Sequence, residues 1–568
     1  MDALSPHLEH SPRSRALESF RLTDVPLYRF DVIVLGGGAA GCTTALAAAD
    51  AGATVAVISK CELWESNTRY AQGGVAAVMS DIDSTAAHLA DTCAVGCGLS
   101  APDVVRAVVE GGPAAVQRLI DWGAELDVDA DGALELSREG GHSFPRVLHA
   151  GGDATGRELQ RAMTRRVTEH DRITCFEHVF AIDLLREGDE GRACGVLAVN
   201  ASGQQMGFTA GQVVLATGGA GQLYRETTNP VIATGDGVAL AYRAGATLRD
   251  LEFFQFHPTC LYIAGAARVL ISEIVRGAGG RLRDKNGERF MPDYHPDAEL
   301  APRDAVSRAV FDRMVRTDDT NVYLDLRDVD GDPRRLFPSI AKTCELFGID
   351  LARDPIPVRP GLHYMIGGVR VDLDGRTDVP GLWAVGECAS TGLHGANRMG
   401  SNSLLEGLVL GHRLGEAVAR DAHDVRRGAI IETTSDRREG HDHGVHVNIQ
   451  DVTYSLKSLM WRQMGVVRDE EKLIDALPKI ELWTRAVESL AAPGRETWEL
   501  RNMLDVARLS VISAFGRRES RGVHYRSDYP ELDSAGAQHS LLKALGDRDR
   551  LSGVDVAREP LRDPAEVA

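Results

Sequence analysis

The chain has 568 residues, of which 43% are hydrophobic and 26% charged, and its formal net charge at pH 7 is −19. This composition is typical of a globular protein with two or three domains, and the negative charge does not favour nucleic acid or an anionic membrane as a partner. Because residues 1–30 lack the apolar core of a signal peptide and no run of about 18 apolar residues predicts a membrane span, we expect a cytoplasmic protein.

Residues 31–60 predict a strand, a glycine turn, a helix and a second strand. An apolar run at 32–35 precedes Gly36, Gly38 and Gly41, which have the spacing G-x-G-x-x-G, and an alanine-rich segment follows. In such a unit the first glycine permits a tight turn, the second lets the backbone approach a pyrophosphate, and the third lets helix and strand pack closely. The pattern therefore indicates a dinucleotide bound at the helix N-terminus.

The second strand of this unit ends in Ser59 and Lys60, where an acidic residue that binds the ribose is common. The serine hydroxyl is able to make that bond, and the lysine is able to approach a phosphate or the adenine. This departure argues against NAD and is compatible with FAD.

Two glycine-containing loops follow. In residues 66–75 the small side chains would let the backbone lie against a flat ring, although an ordinary glycine turn has the same composition. Residues 138–156 place Glu139, His142 and His149 beside glycines, which indicates either a site loop or a surface turn.

The nine cysteines are scattered through the chain, as is typical of reduced thiols. Cys93 and Cys97 are four residues apart, but no second Cys or His pair follows nearby, so they do not indicate a zinc or iron–sulfur site. The histidines at 441, 443 and 446 lack the i, i+4 spacing of a helical metal site, and we interpret their surroundings as a solvated linker. No bound metal is predicted.

These segments predict an α/β protein: a Rossmann-like FAD-binding domain with an inserted α+β capping domain and a C-terminal helical domain. The strand at 213–216 is followed by glycines that would again contact the cofactor. The composition changes from about Leu248, where an aromatic cluster at 253–256 follows. Amphipathic patterns predict helices at 452–464, 470–490 and 497–515, and the tail from 546 onward is expected to be loose. The predicted division is a flexible N-terminal segment at 1–29, the FAD-binding domain at 30–247 and 366–425, the capping domain at 248–365, a linker at 426–448, and the helical domain at 449–568.

Many short motifs resemble those of the fumarate reductase and succinate dehydrogenase flavoprotein superfamily, and within it the L-aspartate oxidase family. The resemblance covers about residues 30–530. It depends on motifs that occur in the family's order: TRYAQGGVAAV, REGGHS, HAGGDATG, VLATGGAGQLY, TTNP followed by TGDG, FQFHPT, ELAPRD, HYMIGGVRVD, GLHGANRMGSNSLLEGLV and ESRGVHYRSDYP.

The resemblance implies FAD as the cofactor. The position of Asn67 matches the histidine that holds FAD covalently in the respiratory complexes, and since asparagine cannot make that bond, the FAD here is expected to be noncovalent. The implied cofactor-binding residues are Gly36, Gly38, Ala39, Ala40, Gly41, Ser59, Lys60, Asn67, Thr68, Gln72, Gly73, Gly74, Ala216, Thr217, Gly218, Asp236, Glu387, Asn402, Ser403 and Leu404.

The resemblance also implies how L-aspartate would bind. Arg398 and His363 would hold one carboxylate, and Glu139 would receive the ammonium, because a carboxylate is the natural partner of that group. The other carboxylate would contact His257, Thr259 and Ser272, the last of which replaces the family's usual threonine and keeps its hydroxyl.

Arg303 matches the residue that donates a proton when members of this superfamily reduce fumarate, with Glu273 and Arg276 as its relay. In the oxidative direction it would either accept a proton or only bind carboxylate, since a guanidinium is a poor base.

The activity implied is oxidation of L-aspartate to iminoaspartate by hydride transfer to flavin N5, the first step of NAD biosynthesis through quinolinate. The electron acceptor would be oxygen, giving peroxide, or fumarate. Because iminoaspartate is unstable in water, a quinolinate synthase is a possible partner. The alternatives are a soluble fumarate reductase, the flavoprotein subunit of a succinate dehydrogenase complex, and a flavin-binding protein without catalysis.

Overall fold

The computed structural model describes residues 8–21, 23–188, 191–265, 268–423, 430–433, 447–490, 493–534, 536–547 and 550–561. Most of the predicted linker at 426–448, including its three histidines, lies outside the described residues. Within the described ranges, no helix is long and apolar enough to cross a membrane.

The fold is built around a parallel five-stranded sheet. Its inner strands are buried on both faces and apolar except for Gln212, as is typical of a parallel sheet covered by helices. In spatial order its strands are Leu382–Ala384, Gln212–Leu215, Val32–Leu35, Val55–Ile58 and Ile173–Phe176. The helix Ala39–Asp50 joins two neighbouring strands and packs against the helix Asn402–His423.

A second, four-stranded sheet borders the first, and a short three-stranded sheet lies beside the glycine loops. The four-stranded sheet consists of Leu27–Arg29, Gln205–Thr209, Arg192–Asn200 and Val179–Glu187. The three-stranded sheet consists of Val75–Ala76, Val147–Leu148 and Leu136–Ser137. Four helices complete this part of the chain: Thr85–Val95, Pro102–Asp121, Thr155–Thr168 and Asp236–Ala244.

The inserted segment has its own antiparallel sheet and its own apolar core. Its strands are Phe254–Leu261, Ile356–Met365, Val322–Asp325 and Arg281–Arg283. Its helices are Ile274–Gly277, Arg303–Thr317, Pro333–Leu336 and Pro338–Glu345. A separate cluster of buried apolar side chains fills the space between them. The predicted α+β cap is therefore present, although the strand Leu248–Arg249 at its expected start belongs to a different sheet.

The C-terminal part begins with three helices, Ile449–Gln463, Glu470–Glu488 and Arg495–Gly516, close to the predicted ranges. The prediction of a loose tail from 546 onward was wrong for the described residues, because Gln538–Gly546 and Arg550–Pro560 form a hairpin. The hairpin is part of a six-stranded sheet with Glu9–Ser14, Leu248–Arg249, Gly368–Arg370 and Ala389–Ser390.

The prediction of a flexible segment at 1–29 was also wrong for two stretches. Glu9–Ser14 pairs with the C-terminal hairpin, and Leu27–Arg29 pairs with the edge of the four-stranded sheet. Both pairings join residues far apart in the chain, which a local composition pattern cannot indicate. Glu9–Ser14 is thereby the edge strand of the six-stranded sheet, next to the C-terminal hairpin.

Candidate active site

The predicted dinucleotide cradle forms where the first parallel strand turns into its helix. Gly36 has a φ of +113°, and a Cβ there would lie 2.2 Å from the carbonyl oxygen of Ala216. A Cβ on Gly41 would lie 2.1 Å from the carbonyl oxygen of Gly36, so this glycine serves close packing. The helix begins after Gly38 with no side-chain cap and no acidic residue in its first turn. The N–H of Ala39 donates to the Thr68 hydroxyl at 3.0 Å, and the other N–H groups of the first turn, with the helix dipole, suit a pyrophosphate.

Replacing Gly36 with alanine is expected to abolish flavin binding. The new methyl group would overlap the Ala216 carbonyl, and an L-residue is strained at this φ, so the turn must open. The absorbance ratio of flavin to protein in the purified variant checks this result. The matched control is Gly52→Ala in the same unit, also at positive φ (+98°) but with nothing within 4 Å of the new Cβ. Equal flavin content in both variants would contradict the role of Gly36.

A cavity of about 1060 Å³ opens from this cradle. It extends from the helix N-terminus to the capping domain, and its lining combines backbone, hydroxyl and charged groups. The lining includes sixteen of the predicted cofactor-binding residues: Gly36, Gly38, Ala39, Ala40, Ser59, Lys60, Asn67, Thr68, Gln72, Ala216, Thr217, Gly218, Asp236, Glu387, Ser403 and Leu404.

Four predicted cofactor residues do not line the cavity: Gly41, Gly73, Gly74 and Asn402. A Cβ on Gly74 would lie 2.1 Å from the carbonyl oxygen of Leu148, so that glycine is needed for packing. The Asn402 side chain is fully buried and contacts His88 and Thr92 instead. Its amide supports the start of a helix rather than facing the cavity.

Lys60 lines the cavity, but its ammonium group already has protein partners. Its Nζ lies 2.7 Å from Asp236, 2.7 Å from the Thr234 hydroxyl and 2.8 Å from Glu499. The lysine and the aspartate, both predicted to bind the cofactor, are thus paired with each other. Glu499 belongs to a C-terminal helix, so this cluster ties that helix to the cradle.

Asn67 and Glu387 meet on the cavity wall. The Asn67 amide donates to one carboxylate oxygen of Glu387 at 2.8 Å, and the backbone N–H of Met365 donates to the other at 3.0 Å. Burial raises the pKa of Glu387. The buried Oε1 of Gln72 has no hydrogen-bond partner within the described structure, and this orphan acceptor also fits a ligand rich in donors.

At the cap, two histidines and Arg398 come together. The rings of His257 and His363 have centroids 5.5 Å apart, and His363 and Arg398 line the cavity. The Arg398 guanidinium stacks on the ring of Tyr364 at 4.6 Å and donates to Ser403 through Nε. Burial and the nearby charge of Arg303 lower the pKa of Arg398 to about 10, so it is still a cation at neutral pH.

Both histidines are neutral at neutral pH. Burial and the neighbouring arginines hold the pKa of His257 and of His363 well below the ordinary value. The backbone N–H of Thr259 donates to His257 Nδ1 at 3.3 Å, which places the ring proton on Nε2. That buried Nε2 has no partner in the described part of the chain. It is therefore an N–H donor available to a substrate carboxylate.

Thr259 was predicted to contact a substrate carboxylate, but its hydroxyl donates to the Ile271 carbonyl at 2.8 Å. Since a hydroxyl has one hydrogen, Thr259 has none left for a carboxylate in this arrangement. Thr259 instead donates its backbone N–H to His257 and so fixes the position of the ring proton. Ser272 is buried beside Glu273. Of the residues predicted to bind substrate or act in catalysis, His363 and Arg398 line the cavity, and seven do not: Glu139, His257, Thr259, Ser272, Glu273, Arg276 and Arg303.

Arg303, Glu273 and Arg276 form a buried charged relay behind the histidines. Arg303 Nε donates to Glu273 at 2.7 Å, and Arg276 lies 3.3 Å from the other oxygen of the same carboxylate. Although burial acts to raise the pKa of Glu273, the two arginines lower it to about 2. Arg303 NH1 is buried and unpartnered among the described residues.

Glu139 is a buried carboxylate, 8% exposed, on the loop facing this group. The Ser401 hydroxyl donates to its Oε2 at 2.7 Å. Within the described structure no Lys or Arg nitrogen lies within 4.0 Å of Glu139. Because a buried charge is normally paired, Glu139 is poised to accept a cation.

Several residues of this region were not predicted from the sequence: Ser401, which contacts Glu139; Thr228, whose hydroxyl lies 3.0 Å from His363 Nδ1; and Tyr364 and Gln255, which contact Arg398. All four lie within the quoted motifs. No local pattern distinguishes them, because each acts through a residue distant in the chain.

The chain matches two known domain families. Residues 31–404 match the FAD binding domain family, and residues 453–565 match the fumarate reductase flavoprotein C-terminal family. The L-aspartate oxidase of Streptomyces coelicolor is 44% identical, with 91% of this chain and 92% of that protein covered. The L-aspartate oxidase of Nostoc is 40% identical, covering 91% of this chain and 93% of that protein.

Among solved structures, a chain of E. coli quinol fumarate reductase superposes with a TM-score of 0.87 and is 32% identical, covering 95% of this chain and 98% of that chain. This agreement confirms the predicted FAD-binding fold. The identity over nine-tenths of the chain is highest, among these proteins, with the oxidases. The chain therefore belongs to the L-aspartate oxidase family of the fumarate reductase and succinate dehydrogenase flavoproteins.

Proposed function

We propose that this protein oxidises L-aspartate to iminoaspartate with noncovalent FAD as its cofactor. The observation that carries the proposal is the buried carboxylate of Glu139, which has a hydroxyl but no cation as its partner among the described residues and lies near a group of cations and N–H donors. L-aspartate carries two carboxylates and one ammonium, and this distribution of charge complements it. A dicarboxylate without the amine would leave Glu139 unpaired and be repelled by it.

The two carboxylates would be held at opposite ends of the substrate. Arg398 and His363 bind one, with Arg398 held in place by Ser403 and the face of Tyr364. His257 Nε2 and Arg303 NH1, two of the buried donors without a partner in the described structure, bind the other. Binding at both ends fixes the direction of the Cα–H bond, and such orientation of the reacting groups is a major contribution of a protein to catalysis.

Bound FAD supplies a hydride acceptor at its N5 atom. The bound ammonium substrate would lose a hydride from Cα and one proton from its nitrogen, so that the C–N single bond becomes the double bond of a protonated imine and the Glu139 carboxylate takes the proton. Glu139 is the group in contact with that nitrogen. In this oxidation Arg303 binds carboxylate, and in the opposite direction, when fumarate is reduced to succinate, its position beside Glu273 suits proton delivery.

Oxygen or fumarate would take the electrons from the reduced enzyme. Iminoaspartate is unstable in water, and its consumer would be a quinolinate synthase, which places the reaction as the first step of NAD biosynthesis in the cytoplasm. A soluble fumarate reductase is the second candidate, because the Arg303, Glu273 and Arg276 relay is complete here.

Anaerobic reduction tests the proposal directly. L-aspartate is added to the purified holoenzyme, and succinate to a second sample, while the flavin absorbance at roughly 450 nm is followed. Bleaching by L-aspartate, with little or none by succinate, is the expected result. Bleaching by succinate alone would assign the protein to the dehydrogenase and fumarate reductase branch.

A further inference from the structure

Ser401 has an unusual backbone conformation at the edge of the site. Its φ is +62°, in the left-handed region, which a non-glycine residue adopts at an energetic cost. It is buried, at 5% exposure, and directly precedes the helix Asn402–His423. Such a conformation persists only where the surroundings hold it.

The neighbours of Ser401 are held on both sides. His142 Nε2 lies 3.1 Å from the carbonyl oxygen of Gly400, and the Asn402 amide is bound between His88 at 2.9 Å and Thr92 at 3.0 Å. The Ser401 carbonyl accepts from the N–H of Ala76 at 3.1 Å. The left-handed turn is therefore fixed by contacts outside its own segment.

The turn directs the Ser401 hydroxyl to Glu139, where it donates to Oε2. A Cβ built on Gly73 would lie 3.5 Å from both the Ser401 hydroxyl and the other carboxylate oxygen, Oε1. A Cβ on Gly400 would lie 2.9 Å from both Glu139 Oε2 and Arg303 NH2. Because residue 400 is a glycine, no side chain fills the space between the Glu139 carboxylate and the Arg303 guanidinium.

A hydroxyl differs from a cation as a partner for this carboxylate. An arginine would satisfy the oxygens of Glu139 and also cancel its charge, so nothing would remain to attract an ammonium. A neutral hydroxyl fixes one oxygen and does not cancel the charge of the carboxylate. Only such a partner both orients Glu139 and preserves its affinity for a cation.

We propose that Ser401 is a positioning residue that sets selectivity for the 2-amino dicarboxylate, by holding Glu139 so that Oε1 meets the substrate ammonium. This inference rests on the proposed oxidation of L-aspartate. The strained turn thereby serves to discriminate between substrates and takes no part in hydride transfer itself.

The test compares Ser401→Ala and Ser401→Gly with the wild-type holoenzyme. For each we measure kcat/KM for L-aspartate oxidation and for fumarate reduction, since fumarate lacks the ammonium. Loss of one hydrogen bond to a charged group predicts that the aspartate-to-fumarate ratio falls about tenfold, mainly through KM for L-aspartate. Ser390→Ala is the matched control, because Ser390 is buried to a similar extent but its hydroxyl contacts Arg249 and not Glu139.

A double-mutant cycle with Glu139→Gln separates positioning from general structure. If Ser401 acts through Glu139, then Ser401→Ala causes no further fall in the ratio in the Glu139→Gln background. An equal fall of both activities, or a wild-type ratio in Ser401→Gly, would overturn the inference while leaving the proposed function intact. Absence of L-aspartate oxidation by the wild-type enzyme would overturn both.

Discussion

Replacing Arg398 with methionine is expected to lower kcat/KM for L-aspartate about a thousandfold. Removing one partner of a buried, hydrogen-bonded charge pair costs about 4 kcal/mol, because the substrate carboxylate would be left desolvated without its cation. Methionine retains most of the side-chain volume over Tyr364, so packing changes little. Steady-state rates over a range of L-aspartate concentrations check the result, and most of the loss should appear in KM.

The variant Arg398→Lys separates charge from geometry. Lysine keeps the positive charge but loses the planar fork that binds a carboxylate through two N–H groups and that stacks on Tyr364. We expect a loss intermediate between wild type and Arg398→Met. Arg376→Lys is the matched control, since Arg376 stacks on Trp383 at the same 4.6 Å but does not line the cavity. Wild-type KM in Arg398→Met would contradict carboxylate binding by this arginine.

The dinucleotide cradle could be predicted because its determinants are local. The strand, the three glycines and the helix occupy one continuous segment, and Gly41 packs on the Gly36 carbonyl within it. The close contact of Gly36 is with Ala216, at the end of a neighbouring parallel strand. The same holds for the capping domain and the three C-terminal helices, whose apolar patterns are continuous. Local periodicity is sufficient for such elements.

The rest depends on contacts between distant parts of the chain. Lys60 was predicted to approach the cofactor directly, yet its charge is taken up by Glu499, 439 residues away. The strand at residues 9–14 exists only because residues 550–553 pair with it. Composition near a chain end cannot indicate a partner at the other end, so flexibility was the wrong expectation.

In the substrate site, residue types could be predicted better than their partners. Thr259 was predicted to contact the substrate carboxylate, but its hydroxyl donates to the backbone carbonyl of Ile271, and its backbone N–H donates to His257. Ser401 lies 262 residues from Glu139, and nothing in its own motif indicates a left-handed backbone. A motif suggests which side chains carry chemistry, whereas the fold decides which atoms remain unpaired.

Replacing Glu139 with glutamine is expected to lower kcat/KM for L-aspartate about a hundredfold, since the ammonium loses its buried counter-charge at a cost of about 3 kcal/mol. Glutamine has the same shape and still accepts a hydrogen bond from Ser401, so the change isolates the charge. Removing an anion near Arg398 and Arg303 should also lower KM for fumarate, because repulsion of the dicarboxylate disappears.

A lower kcat/KM for L-aspartate together with a lower KM for fumarate would distinguish Glu139 from a merely structural residue, whose loss would impair both reactions. Glu135→Gln is the matched control: it removes the same charge four residues away in the chain, at an exposed position outside the cavity. It should change neither KM measurably, because exposed charges are screened by solvent. If Glu139→Gln weakened fumarate and L-aspartate equally, the carboxylate would be holding the loop rather than the ammonium, and the charge complementarity on which the proposed activity depends would be lost.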